Sequence, residues 1–188
     1  MPDSSKINNE NIYSNTLITK KVEIPINKIG SNINEYLTNK LSRQIEGKCS
    51  IEGYIKPNSI NIVSYSSGLI ENHSILFEVL FECLVCFPVE NMLIKCFVKN
   101  ITKAGIRAEL PETPTPLIIF LARDHHYKNS EQFSSIAEND EIAVKIIGQR
   151  YELNDEAISV IAELVNQDKG KKKKKEKKEK KIKLVIDE

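Results

Sequence analysis

Apolar positions along the chain change period twice. Over residues 29–45, Ile29, Ile33, Leu37, Leu41 and Ile45 recur every four residues. That spacing stacks them on one face and predicts an amphipathic helix. Ser31 or Asn32 stands where an N-cap belongs, and Gly47 follows the end. Ahead of it, Leu17, Ile18, Val22, Ile24 and Ile26 predict a short strand. Behind it, residues 49–55, 59–64 and 74–87 are rich in Ile, Val, Phe and Tyr, broken by Lys56-Pro57-Asn58 and Ser66-Ser67-Gly68. One helix with three or four strands makes a small α+β unit, which ends near Pro88-Val89-Glu90-Asn91.

Five further strand-like segments follow. In residues 92–101, Ile94, Cys96 and Val98 face one way and Lys95, Phe97 and Lys99 the other. In residues 105–110, Ile106, Ala108 and Leu110 point inward, with Arg107 and Glu109 outward. Residues 117–121 form a continuous apolar run, followed by the polar Arg123-Asp124-His125-His126-Tyr127 and a helical turn near 130–137. Residues 141–151 and 157–165 form a hairpin turned at Leu153-Asn154-Asp155. Five short strands, with a longer helix-bearing connection before the fourth, match a five-stranded Greek-key OB barrel. The fold class is therefore α+β and mostly β. It comprises a disordered lead-in (1–16), an N-terminal domain (17–88), the OB domain (89–166) and a disordered lysine-rich tail (167–188).

Charge sharpens this division. From Lys169 to Glu188 there are eleven lysines against four acids, whereas residues 1–168 carry sixteen Lys and Arg against twenty-two Asp and Glu. The acidic body will not attract nucleic acid by global charge, so any such site there must be a local patch. No run approaches the roughly 20 apolar residues that span a bilayer, and residues 1–11 lack the apolar stretch of a signal peptide. Cys49, Cys83, Cys86 and Cys96 are too sparse for a disulfide scaffold, which points to a reducing nuclear or cytoplasmic setting.

The run from Lys40-Leu41 through Glu46-Gly47-Lys48-Cys49 to Gly53-Tyr54-Ile55 resembles the N-terminal tip domain of the stalk subunit of multi-subunit DNA-dependent RNA polymerases. That family comprises the seventh subunit of RNA polymerase II, its archaeal counterpart and viral relatives. Pro88-Val89-Glu90 falls at the family's domain junction. Residues 140–150, Asn154-Asp155 and Ile161-Ala162-Glu163-Leu164 look like the end of its OB domain, which is of the ribosomal-protein-S-one type. The ordered set covers residues 17–165. It implies a non-catalytic subunit that docks on the polymerase core, holds a subunit-four-type stalk partner along both domains, and meets emerging single-stranded RNA. Leu80, Leu84 and Phe87 are available for the partner contact, although core burial explains them equally. Two features depart from the family. Thr102-Lys103-Ala104-Gly105-Ile106-Arg107 carries charge where aromatics often sit, and the lysine tail is additional. The Asn-, Ile- and Lys-rich composition suits an AT-rich genome such as that of a large DNA virus, which would place the protein in a viral factory or virion.

OB domains bind oligonucleotides across strands 2 and 3 and the loops between strands 1–2 and 4–5. The candidates are Lys95, Phe97, Lys99, Lys103, Arg107, Arg123, His125, His126, Tyr127 and Arg150. Aromatic faces stack bases while Lys and Arg neutralise phosphates; the competing reading is a solvated strand face with a barrel-closing Phe97. His125 and His126, adjacent in a strand, would point to opposite sides and share no metal. Cys83-Leu84-Val85-Cys86 is a lone CxxC in an apolar strand and reads as core packing. No phosphate loop, nucleophile motif or carboxylate cluster for Mg²⁺ supports catalysis or a cofactor. The tail suits salt-dependent nucleic-acid binding, nuclear import or solubility, and its Ile182–Ile186 segment suits docking as an added strand. The alternative function is a free-standing OB-fold RNA-binding factor in translation or RNA decay, for which the N-terminal domain has no role.

Overall fold

Strand β1 (Tyr13–Pro25) pairs along its whole length with β6 (Ser74–Cys86), Tyr13 opposite Cys86 and Pro25 opposite Ser74. The computed structural model that shows this describes residues 12–30, 32–129 and 133–165. The expected tail and most of the lead-in lie outside the described residues, as does the start of the expected turn at 130–137.

Alternation along β6 buries Phe77, Val79, Phe81, Cys83 and Val85 on one face. Helix α1 (Ile33–Ile45) lays Leu37, Leu41 and Ile45 onto that face, where they join Ile18, Val22 and Ile24 of β1 in one core. The second edge of β6 is shared by β3 (Gly53–Ile55), β4 (Asn61–Tyr65) and β5 (Leu69–Glu71), and β2 (Cys49–Ser50) pairs β3.

Several boundaries differ from expectation. The first strand begins at Tyr13, not Leu17, because β6 runs long enough to pair residues 13–16, which the expected lead-in had claimed. The helix starts at Ile33: Ile29 is in extended conformation after a 3-10 turn (Ile26–Lys28), and Gly30 is a poor helix residue. Asn32 is the N-cap residue, but its amide reaches the Glu35 carboxylate at 3.4 Å rather than a backbone N–H. Residues 49–55 form a hairpin instead of one strand, turned at Ile51-Glu52, with Gly53 opening β3 at φ +130°.

The remaining strands close on themselves. β7 (Leu93–Ile101), β8 (Gly105–Glu109), β9 (Leu117–Ala122), β10 (Glu141–Arg150) and β11 (Ile158–Leu164) form a barrel in the order β7-β8-β9-β11-β10. The β9–β11 pairing is parallel and the others are antiparallel. A closed five-stranded barrel of this order is consistent with an OB fold. Ile94, Cys96, Val98, Ile106, Ala108 and Leu110 are all buried, as the alternation predicts.

The barrel core extends into the first sheet: Cys49, Tyr54 and Cys86 belong to its cluster, with Ile12 just ahead of β1. Cys49 N–H donates to Asp155 O at 2.8 Å, and Asn154 N–H returns a bond to Cys49 O at 2.9 Å. Tyr13 donates its hydroxyl proton to Glu112 at 2.7 Å, with Lys56 Nζ 3.9 Å from the same carboxylate and 4.4 Å above the Tyr13 ring. Burial and the neighbouring carboxylate push the Tyr13 phenol well above its ordinary value. Burial likewise raises the thiols, Cys49 and Cys83 to about 11 and Cys86 and Cys96 to about 12. They are protonated packing groups at neutral pH. Cys83 and Cys86 lie in different cores.

Candidate nucleic-acid interface

The outward face of β7, β8 and β9 is read most simply as cross-strand rows. One row runs Asn100, Arg107, Phe120, Ile161. Phe120 is 37% exposed and Ile161 46% exposed, so a phenyl ring and a guanidinium share an open surface in the middle of the barrel. Leu117, Ile119 and Leu121 point into the core and leave Ile118 and Phe120 outside. The apolar run 117–121 conceals this, and reading it with period two would have exposed Phe120.

The β7–β8 turn brings two more cations to the same corner. Thr102 closes the turn on Gly105, its N–H at 2.8 Å and its hydroxyl at 3.0 Å from Gly105 O. Arg123 is drawn onto that turn by its backbone N–H to Ala104 O (3.0 Å) and by Nη2 to Thr102 O (3.4 Å), with its guanidinium 5.5 Å from the Phe133 ring. Lys103 and Arg123 are therefore joined at the turn that leads into β8, where Arg107 pairs with Phe120, and His125 is exposed two residues beyond Arg123. Arg107 is restrained by Glu109, Nη2 to Oε1 at 3.0 Å.

A second row runs Glu141, Phe97, Glu109, Ile118, Ser159, Arg150. Phe97 is half-buried between two acids, and Lys95 lies 3.9 Å from Glu141. A bulge between Val98 and Asn100 turns Lys99 out to solvent. Arg150 pairs with Glu152 at 3.3 Å and sits at the end of the row remote from the Lys103 turn. These acids weaken the second row as a phosphate track. Of Tyr127, the structure describes the backbone alone, in the 3-10 segment Arg123–Asn129.

His126 is a correction. It lies in that 3-10 segment, not on a strand, and is 5% exposed. Leu164 N–H donates to Nε2 at 2.8 Å, so the proton is on Nδ1, which donates to Ala122 O at 2.8 Å. The ring also stacks on Phe133 at 4.9 Å. It pins the end of β11 beneath the turn after β9 and presents no free nitrogen to RNA. His126→Ala is expected to lower stability by about 2 kcal/mol, since it strands the Leu164 N–H and removes packing. Thermal unfolding checks this. Among the described residues, no three His, Cys, Asp or Glu side chains are grouped to hold a metal.

Of the apolar positions considered for a partner, Leu80 and Leu84 are half-buried; Phe87 is exposed and meets Tyr151 edge to face at 6.5 Å.

No family model matches the chain. It is 27% identical to a DNA-directed RNA polymerase subunit of Acanthamoeba polyphaga mimivirus, with 84% of each chain covered. It is 22% identical to the RPB7 subunit of RNA polymerase II of Glycine max, covering 77% of this chain and 88% of that one. Subunit 7 of the Arabidopsis thaliana enzyme is 23% identical, with coverage of 74% and 85%. Over most of its length the chain is thus similar in sequence to DNA-directed RNA polymerase subunits, two of them seventh subunits of plant RNA polymerase II and one of them viral.

Proposed function

We propose that this chain is a non-catalytic stalk subunit of a DNA-dependent RNA polymerase whose barrel binds emerging single-stranded RNA. The observation that carries the RNA-binding reading is the exposed Phe120 beside Arg107, flanked by Lys103 and Arg123. An aromatic face stacks any base, and cations around it neutralise the phosphates of successive nucleotides. Lys99 and His125 extend the track, while Phe97, Lys95 and Arg150 contribute at its margin. In this reading residues 17–88 are the tip domain that docks on the polymerase core, and 89–166 an OB domain of the ribosomal-protein-S-one type. A subunit-four-type partner lies along both. Kinship with seventh subunits supports it. Localisation follows the polymerase, in the nucleus or, for a viral protein, the viral factory or virion.

Affinity purification of the tagged protein from its native setting, with nuclease present, tests the assignment. Large polymerase subunits recovered at near-equal stoichiometry support it; recovery of ribosomal or RNA-decay proteins alone overturns it. At the site, Phe120→Ala is expected to weaken binding of a short single-stranded RNA by about 1–3 kcal/mol, the worth of one stacked base. Arg107→Ala should instead flatten the salt dependence, with the log–log slope changing by about 0.7 for one lost phosphate contact. Fluorescence anisotropy across a salt series separates the two.

A further inference from the structure

A groove of about 390 Å³ opens where the end of α1, strand β1 and the β2–β3 hairpin meet the β10–β11 loop. Its floor is apolar, from Ile18, Ile45, Ile55 and Phe81. On its rim, Ile51 is 79% and Leu153 63% exposed. Thr19 and Lys20 line it from β1, and β1 pairs only β6 among the described strands. The other edge of this 13-residue strand therefore offers backbone groups with no described strand beside them, next to the groove.

We propose that the groove is a docking site for this chain's own segment Ile182–Ile186, added as a strand beside β1. The segment alternates in the required way: Ile182, Leu184 and Ile186 share one face, which suits the apolar floor. Reach is ample. Sixteen residues (166–181) separate the last described residue from the segment, and extended chain spans roughly 3.3 Å per residue, about 53 Å in all.

The groove's surroundings carry charges of both signs for the residues that flank the segment. The segment is preceded by the lysine run, and the β10–β11 loop that supplies Leu153 also exposes Glu152, Asp155 and Glu156. It is followed by Asp187 and Glu188, and the groove presents Lys20 on β1, with Lys48 and Glu52 together at the hairpin. Docking neutralises part of the tail against the acidic body and covers apolar surface that a partner protein would otherwise meet.

Disulfide trapping in the full chain tests this, because all four native cysteines are buried and do not compete. Ile51→Cys with Leu184→Cys is compared with Ile161→Cys and Leu184→Cys, Ile161 being exposed on the barrel instead. Under a mild thiol oxidant the first pair should close within one chain on the order of tenfold faster, because docking raises its effective concentration. Equal rates, or disulfides formed only between chains, overturn the proposal. As a second readout, Leu184→Asp should shift the NMR amide signals of Thr19, Lys20 and Ile51 in the otherwise unchanged protein. Superimposable spectra would also overturn it.

Discussion

Phe81→Ala is expected to cost about 3–5 kcal/mol, the range for truncating a fully buried phenylalanine. Phe81 is 0% exposed and sits mid-strand on β6, opposite Ile18 of β1 and Ile62 of β4. Its ring fills the layer between sheet and helix, alongside Leu37, Leu41 and Ile45. Removing it leaves a cavity that this layer cannot close, because β6 is held at both edges by pairing. In urea unfolding the midpoint should fall with the slope unchanged, and the melting temperature should drop on the order of 10 °C. The barrel should unfold in the same transition. Cys49, Tyr54 and Cys86 tie the first sheet into the barrel core, and the Cys49–Asp155 and Asn154–Cys49 hydrogen bonds cross the same joint. A second transition that preserves barrel signals would show the two cores to be independent.

Helix α1 and the inward barrel positions were legible because both rest on local periodicity. Leu37, Leu41 and Ile45 recur at helical spacing, and Ile94, Cys96, Val98, Ile106 and Ala108 alternate cleanly. The candidate site was legible only in its charges. Lys103, Arg107 and Arg123 stand out in any reading of the loops, yet the turn that gathers them is made by contacts across about twenty residues. Phe120 was hidden because an apolar run gives no sign of which residues face outward until the partner strands fix its register. His126 shows the converse. Its polarity suggested a ligand contact, but the backbone groups of Ala122 and Leu164 consume both ring nitrogens. The joint between the two cores was not legible at all, since Tyr13 and Glu112 lie 99 residues apart.

Gly105 carries the second large effect, through a close approach rather than through lost burial. A Cβ placed there would stand 2.2 Å from the Leu121 carbonyl oxygen and 2.9 Å from the Phe120 ring. The first contact is with backbone, so no side-chain rotation relieves it, and β8 would have to separate from β9 where Gly105 pairs with Ala122. Gly105→Ala is therefore expected to cost about 3 kcal/mol or more, the upper range for overpacking a close-packed interior. The same displacement moves the Phe120 ring and opens the Thr102 turn, which Gly105 closes through its N–H and its carbonyl. On the RNA-binding reading proposed above, the variant should thus lose RNA affinity even when cooled until it is fully folded. Ala104→Gly is the control: Ala104 is exposed, and its replacement leaves the β8–β9 contact intact. Stability and anisotropy measured on the pair decide the matter. A Gly105→Ala protein with native stability would mean that β8 and β9 are not packed this closely, and the arrangement of Phe120 over Gly105 and beside Arg107 would fail with it.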